Sequence, residues 1–367
     1  MTVGVTLGVE EEFHLVDART LRLADVPDVV TSAHRLLGDD AQSEISTSQL
    51  EVATPVCTTL VEVREHVVRL RRGAAAAAAE HGALVVAAGT APTGVWTDQR
   101  LTPGPRYQEL FERWGLLALQ QLIAGCHVHV HVDDPELAVR VLDRLRPDLP
   151  VLLAMSASSP FWEGVDSGYA SYRTQWFGRF PVTGSPELLG DHAGYDAVVA
   201  DLVASGMVRD ASHLYWDARP STRFPTVEVR VADTMPHVDD VVLHAALARS
   251  LVRVAADDAR RDADFPRPRP EVVRAARWRA ARSGLEGDLL DLRDGGPRPA
   301  ADVVRGLLDR LRDDLHRAGE WDEVSALADD ALRRGTSAAR QRAVLERTGD
   351  VRDVVRALVE DSAVPRS

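Results

Sequence analysis

No lysine occurs anywhere in the 367 residues, so all 43 basic side chains are arginine. That absence excludes a P-loop, whose lysine reaches the terminal phosphates of a nucleotide, and any lysine Schiff-base chemistry. Cysteine is scarce as well. Cys57 and Cys126 are too few for a disulfide framework, which points to a reducing cytosol. No apolar run is long enough to span a bilayer, and glutamates stand near the N-terminus where a signal peptide would be apolar. Positive charge is in deficit: 43 basic against 56 acidic residues give a formal net charge of −13. This balance argues against a nucleic-acid surface or a polybasic membrane patch. The expectation is a cytoplasmic protein with no nucleic-acid and no membrane partner. Hydrophobic residues are plentiful at 45%, enough for a sizeable core, and the length suits one large domain or two intimate ones.

Apolar spacing and turn residues order the chain. The segment "LGVEEEFHLV" at 7–16 reads as a strand, 26–37 as a short helix, and 43–54 as extended and rich in hydroxyls. Residues 58–81 read as a long helix whose polyalanine packs tightly. "GALVVAAGTAP" at 82–92 predicts a buried strand ending in a turn, and a helix follows near 107–121. "GCHVHVHVDD" at 125–134 is another strand, and "VEVRV" at 227–231 is the last clear one. From about 238 onward, Arg, Asp and apolar residues alternate at helical spacing, broken by "FPRPRP" at 265–270 and "DGGPRP" at 294–299. We expect one catalytic domain over 1–367, with a sheet-forming portion at 1–237 and a mostly helical portion at 238–367 packed on it.

Three strands share one habit. Alternate residues of a strand point the same way, so Glu10, Glu12 and His14 share a face opposite Val9, Phe13 and Leu15. Glu11 falls on the apolar side, where the pattern offers it no partner. His127, His129 and His131 share a face, with Cys126, Val128 and Val130 opposite; Glu228 and Arg230 face together against Val227, Val229 and Val231. An antiparallel sheet with one solvated face shows the same alternation. Solvated faces, however, draw on Thr, Ser, Lys and Arg rather than Glu-x-Glu, His-x-His and Glu-x-Arg. If the strands share a sheet, they build a floor of carboxylates and imidazoles with an arginine nearby. Buried carboxylates need a compensating cation. Several oxygen donors suit Mg²⁺ or Mn²⁺, whereas an imidazole-dominated set suits zinc. "WDARPSTRF" at 216–224 adds Arg219 and Arg223, which suit phosphate or carboxylate clamps, or else a surface ion-pair network. The aromatic loop 156–181, with Arg173, suits a ligand or simple packing. Cys126, on an apolar strand face, reads as core.

Taken in order, "LGVEEEF", "SQLEVAT", "GTAP", "RYQEL", "GCHVHV", "SASSPFWEGVDSGYASYR", "LYWDARPS", "TVEVRVADT" and "RSGLEG" resemble the type 2 glutamate–cysteine ligase-like family of carboxylate–amine ligases. The resemblance runs from residue 7 to 287. It implies an α+β fold of the glutamine synthetase/guanido kinase kind: a curved, mainly antiparallel sheet with helices on its outer side and ATP, metal ions and substrates on its concave face. By that resemblance Glu10, Glu12, Glu51, His127 and Glu228 bind Mg²⁺ or Mn²⁺. Arg230, Arg173 and Arg219 act on the reacting phosphate and carboxylate groups, and Arg230, His129 and Arg223 contact ATP. The implied reaction joins glutamate, or a similar carboxylate, to an amine such as cysteine through an acyl phosphate, with a homodimer left open. Ala91, Thr47 and His131 depart from the family pattern and bear on acceptor choice. The rivals are a zinc-dependent hydrolase built on His127 and His129, and a non-catalytic nucleotide or amino-acid binding protein. Without a cation the glutamates repel one another, so neutralising Glu228 should leave the protein at least as stable.

Overall fold

The computed structural model describes residues 5–363 apart from Asp294 and the side chain of Arg106. Seven strands form the main sheet: β1 (Leu7–Asp17), β2 (Ala41–Ser43), β3 (Gln49–Ala53), β4 (Ala83–Val86), β5 (Gly125–His131), β6 (Ala218–Pro220) and β7 (Thr226–Asp233). Their order is β6-β7-β5-β1-β3-β2, with β4 beside the end of β1, and every pairing is antiparallel. The expected α+β fold with a mainly antiparallel sheet is what the chain forms.

The outer face of the sheet is the core. Val9, Val128, Val130, Val227 and Val229 are buried against the helices Leu60–Glu80, Pro135–Leu145, Leu149–Ser156 and Val238–Arg260. Each buried valine contributes roughly 1.5–3 kcal/mol. A one-residue slip of any central strand would exchange these valines for Glu or His, so the apolar face fixes the register. That register sets Glu10 opposite His127, Glu12 opposite Glu51, His129 opposite Glu228, and Glu228 opposite Arg219.

Helix Leu60–Glu80 begins with a capping box between Thr59 and Glu62, and Ala74, Ala77 and Ala78 are buried in a cluster with Phe13 and Leu15 of β1. The same helix explains Glu11. Arg71 reaches down to the outer face, where its Nε and Nη2 donate to the Glu11 carboxylate at 3.1 and 2.5 Å. Its remaining N–H groups donate to the carbonyls of Met235 (2.6 Å) and Pro236. Both side chains are buried, and each nitrogen and oxygen of the pair has a hydrogen-bond partner.

The structure adds helices Pro135–Leu145, Leu149–Ser156 and His192–Ala204, which the sequence reading does not place, and departs from it elsewhere. The helix expected near 107–121 is two pieces, Pro105–Trp114 and Leu116–Leu119, broken where Gly115 takes φ 56°. A small hairpin, Asp288–Leu290 with Pro297–Pro299, follows the strand read as the last one. Its three-residue strands, one bounded by prolines, are too short to show a period. Beyond 238 the helices Val238–Arg260, Pro270–Ser283, Ala300–Ala318, Trp321–Arg334, Ser337–Thr348 and Val351–Ser362 account for most of the chain.

Candidate active site

The inner face of the sheet floors a cleft of about 1240 Å³, lined by Glu10, Glu12, Glu51, His127, His129, His131, Arg173, Arg219, Arg223, Glu228 and Arg230. All the residues proposed from the sequence as ligands or clamps therefore meet in one place. Two donor clusters stand out: Glu12, Glu44 and Glu51 in one, Glu10, His129 and Glu228 in the other, with ligand atoms within 4.8 Å of one another. His127 bridges the two, with Nδ1 3.3 Å from Glu10 and Nε2 3.8 Å from Glu12. His129 Nδ1 pairs with Thr226 Oγ1 at 3.0 Å, while Nε2 faces Glu10 at 3.2 Å without hydrogen-bond alignment. The amide of Gly125 donates to Glu12 at 2.6 Å.

Glu44 was missed by the sequence reading. It lies in the loop between β2 and β3, outside any strand alternation, and its carboxylate comes within 4.8 Å of those of Glu12 and Glu51. The spacing of Glu44 and Glu51 within one hydroxyl-rich stretch was the available signal.

The two clusters differ in charge balance. Burial raises the Glu51 carboxyl well above the ordinary carboxylate range, and Glu44, Glu10 and Glu12 push it further the same way. Burial also raises Glu12, against the pull of His127. Glu10 is different: burial opposes its ionisation, yet the two imidazoles hold it well below its usual value. Burial opposes ionisation of Glu228 too, but Arg230 and Arg219 overcome that and hold it far down. Arg219 Nε donates to Glu228 at 2.8 Å, and Arg230 Nη1 donates to its other oxygen. This overturns the expectation that neutralising Glu228 would cost no stability, because its removal would leave two arginines facing each other.

The test of that repulsion moves to Glu51. A carboxyl raised on folding holds its proton more tightly in the native state. Its contribution is complete at low pH and is lost as pH rises through the raised titration. Without divalent cation, wild-type Tm is expected to fall as pH climbs above the ordinary carboxylate range. Glu51→Gln should remove most of that slope and raise Tm near neutral pH. Thermal scans across pH in chelator measure it; parallel slopes in the two proteins would defeat the reading.

Arg173 is placed by a hub that the sequence did not reveal. Asp233, at the end of β7, accepts from Ser158 N (3.0 Å), Ser159 Oγ (2.6 Å) and Ser171 Oγ (2.8 Å). The serine-rich loop is thus spent on holding Asp233, and it delivers the short helix Tyr172–Phe177 with the buried Arg173. Arg173 Nε has no partner, and its Nη groups make long contacts of 3.4 and 3.5 Å with carbonyls, Nη1 also lying 3.9 Å from the Asp233 carboxylate. Gly125 leaves room for it: a Cβ there would collide with Arg173 Nη2 and come 2.9 Å from His127 Nε2. Arg223 is exposed at the cleft mouth, on the turn between β6 and β7.

Other expectations fare differently. Cys126 is buried core, its thiol pushed well up by burial. Of the three departures from the family pattern, only His131 lines the cleft. Ala91 sits in a small apolar cluster with Leu23 and Leu122, and Thr47 donates to Asp25 at 2.6 Å. Their bearing on acceptor choice is therefore not through contact with the cleft. His14 shares the floor's strand face but is buried beyond it, with neither ring nitrogen paired, and burial lowers it to about 4.

A cluster of three carboxylates with little neutralising charge is a donor set that fits a hard divalent cation, and Glu10, His129 and Glu228 offer a second, mixed set.

Comparison with known proteins gives the family to which the chain belongs. Residues 6–357 match the sequence profile of Glutamate-cysteine ligase family 2 (GCS2). A Mycolicibacterium smegmatis protein provisionally named glutamate–cysteine ligase 2-2 is 44% identical over 360 residues, covering 98% of this chain and 90% of that one. One from Salinispora tropica, provisionally named glutamate–cysteine ligase 2, is 45% identical over 357 residues, covering 96% and 93%. A Frankia casuarinae relative is 43% identical, but this chain spans only 42% of its length. Among solved structures, the glutamate–cysteine ligase of Francisella tularensis in complex with AMP has a TM-score of 0.68 at 14% identity, covering 99% of this chain and 90% of that one. A bifunctional glutathione synthetase from Pasteurella multocida has a TM-score of 0.71 at 16% identity, covering 98% of this chain and 52% of that one. The family profile and these relatives define a carbon–nitrogen ligase. The chain belongs to glutamate–cysteine ligase family 2.

That membership overturns the zinc-dependent hydrolase reading, and the geometry gives the reason. Among the described residues no donor cluster contains both His127 and His129. His127 is hydrogen-bonded to Glu10, and His129 clusters with Glu10 and Glu228. No helix of the described residues is long and apolar enough to cross a membrane.

Proposed function

We propose that the protein is an ATP-dependent carboxylate–amine ligase that activates the side-chain carboxylate of glutamate, or a similar acid, as an acyl phosphate and passes it to an amine. Cysteine is one acceptor, giving gamma-glutamylcysteine. The observation that carries this reading is the convergence of the buried Arg173 and the half-buried Arg219 and Arg230 with a carboxylate cluster and a mixed carboxylate–imidazole cluster on one concave face. A cleft of about 1240 Å³ exceeds the roughly 300–1,000 Å³ that houses one small ligand, so it has room for a nucleotide and two substrates. The AMP bound by the Francisella enzyme, which shares the fold, favours a nucleotide here. The whole of 1–367 would act as one catalytic unit.

The chemistry follows from the groups present. A carboxylate is a poor electrophile, and transfer of the terminal phosphoryl group turns one of its oxygens into a leaving group. Glu12, Glu44 and Glu51, with Glu10, His129 and Glu228, would hold Mg²⁺ or Mn²⁺; His127 stands between the sets. The bound cations would supply neutralisation of phosphate charge. Arg230 and Arg219, anchored on Glu228, would meet the phosphoryl oxygens, and Arg223 at the mouth the rest of the polyphosphate. Arg173, unpaired at Nε, would hold the substrate carboxylate beside them.

We expect Mg²⁺-dependent ADP release that requires both glutamate and an amine, with the amide detected by mass. If a broad screen of acid and amine pairs never raises ADP release above background, a non-catalytic binding protein becomes the better reading.

A further inference from the structure

An aromatic section of the cleft wall lies next to Arg173. Phe177 lies beneath the Arg173 guanidinium, whose Cζ is 5.7 Å from the ring centroid. Phe177 meets Tyr215 at 5.7 Å and Phe180 at 6.2 Å between centroids, and Phe180 meets Tyr215 at 5.9 Å. The wall continues onto helix Pro105–Trp114, because Trp114 packs edge-on to Phe180 at 5.0 Å. Leu110, one turn earlier on the same helix, also lines the cleft, as do Phe177, Phe180 and Tyr215. Of these four side chains only Tyr215 carries a polar atom.

This wall begins one guanidinium away from the floor. Arg173 approaches Gly125, whose amide is bonded to Glu12. A nucleophile must come within roughly 3–3.5 Å of the activated carbonyl carbon, so a group beyond its nitrogen would rest on this wall.

Building on the ligase reading, we propose that the preferred acceptor is a primary amine carried on an aromatic or large aliphatic group, and that Leu110, Phe177, Phe180 and Tyr215 form its pocket. A thiol-bearing acceptor such as cysteine leaves most of that surface wet. The step balances as follows. The free amine's lone pair attacks the acyl carbon, the carbon–oxygen bond to phosphate breaks, and phosphate leaves with the electron pair. The nitrogen's extra proton is released to solvent or to the departing phosphate.

The test uses the full-length protein with ATP, Mg²⁺ and glutamate, reading ADP and product mass. Hydroxylamine, which needs no pocket, traps the activated carboxyl as a hydroxamate. Phenethylamine and isopentylamine probe the apolar group alone, phenylalanine and leucine probe it beside a carboxylate, and cysteine is the comparison. The apolar acceptors are expected to exceed cysteine at least tenfold in kcat/KM, equivalent to about 1.4 kcal/mol. Phe177→Ala should lower the ratio of phenethylamine to hydroxylamine turnover at least tenfold. Leu110→Gln, at a half-buried position where folding is not at stake, should shift the ratio the same way. Cysteine equalling or beating every apolar acceptor, or ratios unmoved in both variants, overturns the acceptor proposal while hydroxamate formation keeps the ligase. No hydroxamate at all removes the ligase reading, and the acceptor proposal falls with it.

Discussion

Arg230→Lys is expected to lower kcat for ADP release by about a hundredfold or more, the usual cost of losing one preorganised donor to developing charge. Arg230 has two tasks in one plane. Its Nη1 grips Glu228, and its Nε is buried without a partner inside the cleft wall. A guanidinium can hold a carboxylate with one edge and offer another edge to phosphoryl oxygens. An ammonium is a single point of charge. Lys can satisfy Glu228 or an incoming phosphate, but its reach and shape do not serve both. Because Lys keeps the charge facing Glu228, Tm should move by less than about 2 °C, near the effect of 1 kcal/mol in a chain of this size. Steady-state ADP release and a thermal melt together decide it. A variant with wild-type kinetics would reduce Arg230 to an ion-pair partner of Glu228.

The second large effect is on stability. Glu11 and Arg71 form a buried pair with no role in the cleft. Breaking a buried pair by removing one partner strands the other charge in the core, at a cost of about 3–5 kcal/mol. Glu11→Leu and Arg71→Met should each lose that much in urea unfolding. The double variant should recover most of it, because an apolar pair of similar volume has no stranded charge. Simple additivity of the two losses would show that the groups are not coupled.

The residues behind these predictions were unequally visible in the sequence. Period two exposed the floor: Glu10, Glu12, His127, His129, Glu228 and Arg230 each alternate with buried valine or phenylalanine, and that alternation is a local property of a strand. The partner of Glu11 was hidden because Arg71 sits in a helix among other arginines, at 69 and 72, and nothing local marks which of them turns inward. Glu44 was hidden for the opposite reason. It belongs to no periodic element, and its place depends on the conformation of the loop that joins β2 to its neighbour β3. The aromatic loop 156–181 suits a ligand or simple packing by composition, and nothing local marks the target of its serines, Asp233, over sixty residues away in the chain. Ala91 and Thr47 show what a motif cannot say. Adjacency to a family signature places a residue in a segment, whereas facing the cleft is decided by packing.

The register that sets Glu10 opposite His127 and His129 opposite Glu228 has one more consequence. The floor has no address in the chain. Its carboxylates come mostly from the first fifty-odd residues, its imidazoles from β5, and its arginines from a helix and two strands much later. Even the bond that ties β1 to the end of β7, Thr234 Oγ1 to the carbonyl of Glu12, spans 222 residues. No contiguous segment shorter than the sheet itself contains the site, so it cannot be excised as a peptide or grafted as a loop. A recombination between relatives that crosses over anywhere from residue 12 to 228 exchanges one half of the floor against the other. Such chimaeras would pair the anionic side of one ancestor with the cationic side of another, and whether they work reports on the match of charges across β1, β5 and β7.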